Sequence, residues 1–438
     1  MIVMKFGGTS VGSAEMISRV VKIVKKNAIK KPVVVVSAMG GVTDMLIKAA
    51  KEKASGTAQK NAVEKIIGIH EEAIDKLGIG QSIIEDEANG LRSAIDIIKR
   101  GDEVNARILD DIMSFGERMS ARIVAACMQK EGIDAKAYDA YDIGMLTDSH
   151  FGEANVLPKA YGDIGKRIEG EKKMCVITGF IGRDLRGSIT TLGRGGSDYT
   201  ASIIGAAIRA LEIQIWTDVD GIMTADPKVV DGARSIREVS YDEASELAML
   251  GAKVLHPKTI LPAMEKEIPV RILNTFNPKH AGTMVIKKAR RRSRVASITC
   301  KKHIDVIDIS SASMTDIRGL MRKIFDAFDR QGISVDVIST SEANISVTTD
   351  NICNMAALGR EIGEEASVHI RKNMARVSIV GKGLARMPNI LGTIFSSLDS
   401  IPIGMISSSV SGINQSLVVN IDDADRAVKM LHLAFFGS

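Results

Sequence analysis

Residues 2–10 read Ile-Val-Met-Lys-Phe-Gly-Gly-Thr-Ser, a short apolar strand pattern that ends in two glycines. A helical pattern follows from Ser13 to Asn27, with apolar residues spaced along one face at Ile17, Val20, Val21 and Val24. Glycines let backbone N–H groups approach an anion closely, and a helix N-terminus adds a favourable dipole. The stretch predicts a strand-turn-helix unit that holds phosphate at residues 5–10, with an ordinary βα turn as the alternative.

The strand and helix patterns alternate from this start to about residue 290. Pro32-Val-Val-Val-Val36 is rich in β-branched residues, which is typical of a strand buried on both faces. Met174-Cys-Val-Ile-Thr178 and Ile213-Gln-Ile-Trp-Thr217 repeat the pattern, and residues 44–130 are mostly helical by pattern. Strands that alternate with helices predict an α/β domain with a largely parallel sheet.

The chain beyond about residue 300 contains a weak internal repeat. One copy includes Lys323-Ile-Phe-Asp-Ala-Phe328, and the other includes Thr393-Ile-Phe-Ser-Ser-Leu398. Each copy reads strand, helix, strand, strand, helix, which indicates two small ferredoxin-like α+β modules. The pair resembles ACT regulatory domains, which bind amino acids at paired interfaces. We predict domains at residues 1–290, 300–370 and 371–438.

The composition is that of a globular intracellular protein. The chain has 438 residues, which is long enough for two or three domains, and 45% of them are hydrophobic and 25% charged. The four cysteines are isolated, so neither a zinc site nor a disulfide framework is expected, and we predict a cytoplasmic protein. No apolar stretch is long enough to span a bilayer, so we expect no membrane partner.

The net charge of +5 is concentrated in residues 287–294, Lys-Lys-Ala-Arg-Arg-Arg-Ser-Arg. A nucleic-acid patch is one interpretation of such a run. Aromatic residues do not interleave the basic ones, as base stacking would require. We therefore predict a solvated interdomain linker and no nucleic-acid partner.

A second glycine-rich loop carries more chemistry than the first. Residues 190–199 read Thr-Thr-Leu-Gly-Arg-Gly-Gly-Ser-Asp-Tyr. Arg194 offers a planar fork for a carboxylate or a phosphate, and the flanking glycines expose backbone donors. Asp198 is placed to orient Lys5 or to help organise a metal-nucleotide. Neither a Walker loop nor a complete Rossmann fingerprint occurs in the chain, so this is a different phosphate site.

Three further segments place polar side chains beside strands or on a helix. Glu117, in Phe115-Gly-Glu-Arg-Met-Ser120, is a candidate partner for an ammonium group, with a solvated helix-face carboxylate as the alternative. Residues 37–43 and 216–221 each come directly after a strand pattern. Ligands bind at the carboxyl ends of strands in open α/β sheets, so both segments are expected at a site.

In chain order, these segments resemble the amino acid kinase family, and within it the aspartate kinases. The matching motifs cover residues 5–11, 115–120, 179–182, 190–200, 216–220 and 251–257. The resemblance implies transfer of phosphate from ATP to L-aspartate, giving 4-phospho-L-aspartate and ADP on the way to lysine, threonine and methionine. It also implies Mg²⁺ as the companion of ATP, although the sequence shows no metal-ligand motif.

The resemblance assigns roles residue by residue. Lys5 and Asp198 are implied as catalytic. The implied substrate contacts are Thr43, Glu117, Arg194, Gly195, Gly196 and Ser197. The implied nucleotide contacts are Lys5, Phe6, Gly7, Gly8, Thr9, Ser37, Thr217, Asp218, Met223, Lys228 and Lys253. Met223 and Lys228 stand where the family often has tyrosine and arginine.

The ACT modules imply feedback control by lysine or threonine, bound between two subunits of a homodimer or homotetramer. The implied effector contacts are Met314, Asp316, Gly319, Ser334, Val335, Asp336, Ser341 and Asn344. The alternative is that the modules only dimerise the enzyme. Because no homoserine dehydrogenase half follows before Ser438, we expect a monofunctional enzyme. Two other functions stay open: another amino acid kinase, of the glutamate 5-kinase type, and a catalytically silent amino-acid sensor.

Overall fold

A computed structural model describes residues 1–51, 56–98, 104–251, 255–291, 293–311, 317–341, 344–350, 355–362, 366–409 and 411–437. The chain forms two compact units. The first consists of Met1–Ile222, Ser235–Ala244 and Val254–Arg290, and the second of Met223–Arg234, Ser245–Lys253 and Arg291–Ser438. The last boundary falls inside the basic run 287–294.

The first unit begins with β1 (Ile2–Phe6), α1 (Ala14–Lys26), β2 (Pro32–Val36), α2 (Val42–Lys51), α3 (Gly56–Leu77), α4 (Glu85–Ile97) and α5 (Ala106–Lys130). It continues with β3 (Ala135–Tyr138), β4 (Leu146–Thr147), α6 (Pro158–Glu169), β5 (Met174–Thr178), β6 (Ile181–Asp184), β7 (Ile189–Thr191), α7 (Gly196–Ala207) and β8 (Ile213–Thr217). It ends with β9 (Glu238–Ser240), α8 (Tyr241–Met249, which passes into the second unit), α9 (Pro257–Glu265), β10 (Val270–Asn274) and β11 (Thr283–Ile286).

A sheet of eight strands, in the order β3-β5-β2-β1-β8-β10-β11-β9, forms the centre of the described part of this unit. Its neighbours run parallel except for β10 and β11, which confirms the predicted, largely parallel sheet. Strand β1 lies between β2 and β8. The chain moves outward from β1 through β2 on one side of the sheet and returns to the other side of β1 with β8, so the strand order reverses at β1. Ligands of open α/β sheets bind in the crevice at such a point, so the carboxyl end of β1 is the expected ligand position.

The local patterns of the sequence explain the elements around β1. All residues of β1 and β2 are buried, as a strand covered on both faces requires. Ser13 caps α1 by accepting a hydrogen bond from the Met16 N–H at 3.3 Å, and the predicted apolar face of the helix is buried. The strand, the turn and the helix predicted at residues 2–27 are therefore confirmed, and phosphate binding at the turn stays a prediction.

A smaller sheet, in the order β4-β6-β7, lies in the same unit. Strands β6 and β7 form an antiparallel pair, and β4 runs parallel to β6. Strand β7 leads directly into the Arg194 loop, so this sheet sets the position of that loop.

The second unit contains β12 (Ser297–Ser311), α10 (Ile317–Arg330), β13 (Val337–Thr340), β14 (Asn344–Thr349), α11 (Met355–Ile362), β15 (Ala366–Val380), α12 (Ile390–Ser397), β16 (Met405–Ser408), β17 (Asn414–Asn420) and α13 (Ala424–Phe436). This order confirms the predicted repeat of strand, helix, strand, strand, helix. The strands form one antiparallel sheet in the order β13-β14-β12-β15-β17-β16.

The boundary placed between residues 370 and 371 falls inside a single continuous strand. Strand β15 runs from Ala366 to Val380 and pairs along its length with β12. The early part of β12, residues 297–302, pairs with residues 375–380 of β15, beside β17. The two modules therefore share their two long strands, and no single chain position separates them.

Part of the predicted 1–290 domain is built into the second unit. Ala225 and Val230 are buried in an apolar core with residues of β12, β15 and α13. Thr224 Oγ1 and His432 Nε2 lie 2.9 Å apart, and the Thr224 carbonyl accepts a hydrogen bond from the Ile298 N–H at 2.8 Å. Because these contacts come from distant parts of the chain, local sequence patterns did not reveal them.

None of the described helices combines the length and the apolar character that crossing a membrane requires.

Candidate active site

A cavity of about 510 Å³ opens in the first unit beside the carboxyl ends of β1 and β2. Its lining combines the first glycine turn, the loop after β2, the buried face of α5 and the Arg194 loop. The residues are Lys5, Gly8, Ser37, Ala38, Met39, Gly40, Gly41, Thr43, Asp44, Ile47, Met113, Glu117, Gly152, Phe180, Thr191, Gly193, Arg194, Gly195, Gly196, Ser197 and Asp198.

Lys5 extends from β1 into this cavity and pairs with Asp198. Its Nζ atom lies 2.7 Å from Asp198 Oδ1, and both side chains are mostly buried. Successive side chains of a strand point to opposite faces, so Phe6 lies on the other side of the sheet. The Phe6 ring is fully buried and stacks on Trp216 with ring centroids 5.8 Å apart. The Phe6 side chain is therefore part of the core, and only its backbone can face a nucleotide.

The first glycine turn is anchored to strand β8. The Gly7 N–H donates to the Trp216 carbonyl at 3.1 Å, and a short 3-10 turn follows from Gly8 to Val11. Ser10 Oγ lies 2.7 Å from Thr275 Oγ1, and both of these side chains are fully buried. The turn is thus held by contacts with Trp216 and Thr275, while Gly8 faces the cavity and Thr9 faces solvent.

Glu117 is a buried carboxylate, and one of its two oxygens has no hydrogen-bond partner among the described residues. Helix α5 approaches the loop after β2 closely, because a Cβ on Gly116 would lie 2.8 Å from Ala38 Cβ. This approach lets Glu117 accept a hydrogen bond from the Ala38 backbone. Its Oε2 atom is buried and accepts no hydrogen bond from the described residues. Burial raises the pKa of Glu117 to about 8, against the lowering effects of that hydrogen bond and of Lys5.

Arg194 is the cationic counterpart of Glu117 in the cavity. Gly195 follows it with φ 72°, a left-handed conformation that glycine adopts without strain, and caps helix α7. Ser197 and Asp198 lie in the first turn of that helix, so one loop delivers both residues to the cavity. Arg194 is exposed and lines the cavity.

The remaining predicted nucleotide contacts lie at the carboxyl end of β8 or elsewhere. Thr217 and Asp218 follow Trp216, which pairs with Phe6 across the sheet, so they lie at the same edge as the glycine turn. They do not line the cavity, and Gly7 and Thr9 do not line it either. Met223 and Lys228 belong to the second unit, and Lys253 lies outside the described residues.

The structure thus brings most of the predicted site together. Ten of the predicted residues line the cavity: Lys5, Gly8, Ser37, Thr43, Glu117, Arg194, Gly195, Gly196, Ser197 and Asp198. Sequence reasoning did not assign Gly152, Phe180 or Thr191, which line it as well. The sequence did contain one signal for Phe180, because this residue belongs to the motif 179–182, which comes directly after strand β5. In the structure, Phe180 adopts a positive φ of 67°.

Four of the predicted effector residues lie at the two ends of edge strand β13. Ser334, Val335 and Asp336 precede the strand, and Ser341 follows it. Asp336 is already engaged, because its Oδ2 atom lies 3.0 Å from Lys301 Nζ and 3.3 Å from Arg376 Nη1. The Ser341 N–H donates to the carbonyl of Asn344, the first residue of β14, at 2.8 Å. Gly319 lies in α10, whereas Met314 and Asp316 lie outside the described residues.

Within the described ranges, no group of three or more histidine, cysteine, aspartate or glutamate side chains is arranged to hold a metal ion. The cavity instead combines a lysine, an arginine, three acidic groups and two glycine turns. Such a set suits an anionic, phosphorylated ligand together with a zwitterion.

Comparison with known proteins defines the class. A model of the amino acid kinase family matches residues 1–274, and a model of the ACT domain matches residues 307–357 and 377–435. The chain therefore belongs to the amino acid kinase family and carries ACT domains in its C-terminal part.

Within that family, the chain is similar to aspartokinases over its whole length. Aspartokinase 3, chloroplastic, of Arabidopsis thaliana is 39% identical over 456 residues, covering 99% of this chain and 81% of the relative. Lysine-sensitive aspartokinase 3 of Escherichia coli K12 is 31% identical over 448 residues, covering 99% of both chains. Solved structures of E. coli aspartokinase III, with aspartate and ADP (R-state) or with lysine and aspartate (T-state), match at 30% identity. Each has a TM-score of 0.85 and covers 99–100% of both chains.

Proposed function

We propose that this protein transfers the γ-phosphoryl group of ATP to the β-carboxylate of L-aspartate, giving 4-phospho-L-aspartate and ADP. One observation carries the proposal: a single cavity presents the buried Oε2 of Glu117, which has no hydrogen-bond partner among the described residues, and the exposed guanidinium of Arg194 beside the Lys5–Asp198 ion pair. A carboxylate and a guanidinium together match the ammonium and carboxylate groups of an α-amino acid.

The chemistry needs positioning and charge neutralisation more than it needs a base. The side-chain carboxylate of aspartate is ionised at neutral pH, so it attacks without losing a proton. Arg194 holds the α-carboxylate and Glu117 the α-ammonium, while Thr43 contacts the substrate from α2. Lys5, held by Asp198 at 2.7 Å, stabilises the negative charge on the transferring phosphoryl group.

The phosphates of ATP bind at the first glycine turn and at the N-terminus of α7. Gly8 and Ser37 line the cavity on that side, and Phe6, Gly7 and Thr9 offer backbone groups along the same turn. Thr217 and Asp218, at the end of β8, extend the nucleotide side. We assign Met223, Lys228 and Lys253 to the nucleotide by the resemblance alone. Mg²⁺ enters with the ATP phosphates, which with water supply most of its ligands in such enzymes.

The test is trapping of the acyl phosphate. Purified protein is incubated with Mg-ATP, hydroxylamine and either L-aspartate or L-glutamate, and both the hydroxamate and the released ADP are measured. We expect hydroxamate and ADP with aspartate only. Equal or higher rates with glutamate would identify a different amino acid kinase, and no product with either would favour a silent amino-acid sensor.

We propose that a product amino acid of the pathway inhibits the enzyme through the ACT unit, with lysine as the first candidate. The E. coli relative is named as lysine-sensitive, and the T-state relative holds lysine. The effector contacts we assign are Met314, Asp316, Gly319, Ser334, Val335, Asp336, Ser341 and Asn344. Rates measured with lysine, threonine or both test this: a rate unchanged by all three additions would leave the ACT unit as a dimerisation module.

We propose that two copies associate through the ACT sheet into a homodimer or homotetramer. Support comes from β13, which is an edge strand of the described sheet and whose residues 338–340 are exposed. Light scattering of the purified protein, with and without lysine, measures the assembly, and a monomer in both conditions would contradict the proposal.

We propose a cytoplasmic location. The support is that Cys127, Cys175 and Cys300 are all free thiols, which suits a reducing compartment. The Arabidopsis relatives are named as chloroplastic, so fractionation of source cells decides between the cytoplasm and an organelle.

A further inference from the structure

Asp110 is a buried carboxylate that no motif of the family resemblance includes. It lies one turn inside helix α5 and is 1% exposed. Its Oδ2 atom accepts hydrogen bonds from the backbone N–H groups of Gly152 and Thr191, both at 2.9 Å. Its Oδ1 atom accepts a hydrogen bond from Thr191 Oγ1 at 2.7 Å. One side chain thus satisfies three donors on two different loops.

Both partners of Asp110 line the active-site cavity, although Asp110 itself does not. Thr191 is the last residue of β7, three residues before Arg194. The Ala154 N–H donates to the Thr191 carbonyl at 2.8 Å, so the loop with Gly152 and the loop with Arg194 are joined. Fixing Thr191 and Gly152 therefore fixes the wall of the cavity from which Arg194 extends.

Asp110 shares its helix with Glu117. The two residues are seven positions apart, which is about two helical turns, or roughly 10 Å of axial rise on the same face. Met113, between them, lines the cavity. Helix α5 thus carries two functional carboxylates. Glu117 holds the ammonium group of the amino acid, and Asp110 attaches the Arg194 loop, which holds the α-carboxylate.

We propose that Asp110 is a positioning residue for the amino acid half of the site, setting the separation between Arg194 and Glu117. This inference rests on the proposed function. Asp110 touches neither substrate: it acts through the backbone of Thr191 and Gly152. Its loss loosens the Arg194 loop and weakens binding of the amino acid, while the part of the ATP side that is built on β1 and β8 keeps its geometry.

The test compares three variants by steady-state kinetics with both substrates. Asp110→Ala removes all three hydrogen bonds. Asp110→Asn keeps the shape, because its amide oxygen accepts from both backbone N–H groups and its NH₂ group donates to Thr191 Oγ1. Asp184→Ala is the matched control: Asp184 is 3% exposed and also holds three donors, Arg186 N–H, Ser188 N–H and Ser149 Oγ, none of which lines the cavity.

We expect Asp110→Ala to raise the KM for aspartate roughly tenfold or more, which corresponds to the loss of one or two hydrogen bonds to a charged group. The KM for ATP should stay within about twofold in every variant, and Asp110→Asn and Asp184→Ala should keep an aspartate KM within about threefold of the parent chain. If Asp110→Ala does not fold, Thr191→Val, which removes the Oγ1 donor alone, should raise the aspartate KM by about threefold or more.

Three results would overturn the inference: an unchanged aspartate KM in Asp110→Ala (or in Thr191→Val, if that variant replaces it), an equal rise in Asp110→Asn, or an equal rise in Asp184→Ala. A parent chain that makes no hydroxamate from aspartate would instead overturn the proposed function, so the two failures are distinguishable.

Discussion

Glu117 is a residue whose charge state we expect to change when the proposed amino acid binds. In the ligand-free cavity its side chain is fully buried, and burial raises its pKa from 4.5 to about 8. At neutral pH the free protein therefore holds this group mostly protonated. An ammonium group placed against Oε2 favours the charged form, so binding of the amino acid releases a proton from Glu117.

This charge state predicts a pH-dependent affinity. Between roughly pH 6.5 and 8.5, kcat/KM for aspartate should rise with pH as the Glu117 carboxylate forms. Glu117→Gln should raise the aspartate KM at least about tenfold and abolish that rise, because the amide cannot ionise. Initial-rate profiles of both proteins measure this, with the exposed Glu169→Gln as control. A parent profile that is flat from pH 6.5 to 8.5 would contradict the predicted pKa.

The same pKa shift gives a stability prediction of definite sign. The pKa of Glu117 in the folded protein lies above its unfolded value of 4.5. Protonation of Glu117 therefore stabilises the folded state, and this stabilisation is fully present below pH 4.5. The contribution is lost as pH rises through about 8. Without ligand, the melting temperature of the parent chain should therefore fall relative to Glu117→Gln as pH rises from 4.5 to about 8. Differential scanning fluorimetry measures the two melting temperatures, and a difference between them that does not change with pH would contradict the prediction.

The sequence identified site residues that lie in recognisable loops and missed those that act through tertiary contacts. Lys5, Arg194 and Asp198 could be predicted because glycine turns flank them. Asp110 could not, since an aspartate within a helical pattern shows nothing of the loops that it binds. Phe6 was assigned to the nucleotide with its neighbours, although strand alternation places its side chain in the core.

The proposed substrate site depends on the contact between helices α5 and α2. A Cβ on Gly116 would lie 2.8 Å from Ala38 Cβ and 3.3 Å from Val42 Cγ1, so only glycine permits this approach. Helix α5 carries Glu117 and α2 carries Thr43, and both residues line the cavity. The separation of the two helices therefore sets the width of the substrate side.

Gly116→Ala should push α5 and α2 apart. We expect a loss of about 1–3 kcal/mol of unfolding free energy from overpacking, together with a raised KM for aspartate. Gly68→Ala is the matched control, because Gly68 lies within α3 and nothing surrounds its Cβ position within 4 Å. That control should stabilise the protein by about 0.5–1 kcal/mol. Urea unfolding measures both, and equal effects of the two substitutions would contradict the packing argument.

Elements with strong local signals were predicted closely, and elements defined by long-range pairing were not. The predicted strands at 2–6, 32–36, 174–178 and 213–217 have those bounds in the structure. The 15-residue strands β12 and β15 were not foreseen as single strands, because each pairs with distant segments along both of its halves. Their continuity depends on partners that a local pattern does not display.

At the scale of the whole molecule, the two units are not consecutive along the chain. Residues 223–234 and 245–253 belong to the second unit, and Ala225 and Val230 are part of its core. The backbone of Met223 accepts a hydrogen bond from Ser297 Oγ at 2.7 Å in the same unit. The domain boundary inferred from sequence therefore leaves part of the second unit attached to the first.

A fragment of residues 1–290 should be poorly stable for this reason. Removal of residues 291–438 uncovers Ala225 and Val230 and leaves the hydrogen-bonding groups of Thr224 without their partners. We expect the fragment to bind the dye ANS and to melt at a lower temperature than the full chain. A fragment that melts at the full-chain temperature without binding ANS would show that 1–290 folds as an independent domain.

The central claim is that one cavity holds an amino acid by its two charged ends while phosphate is transferred to its side chain. The most direct test is the KM for L-aspartate of Arg194→Ala, compared with Arg186→Ala, an exposed arginine outside the cavity. Loss of a charge-assisted contact of roughly 1.5–3 kcal/mol predicts an aspartate KM raised by at least about tenfold in Arg194→Ala and unchanged in Arg186→Ala. An aspartate KM in Arg194→Ala equal to that of the parent chain would contradict the account.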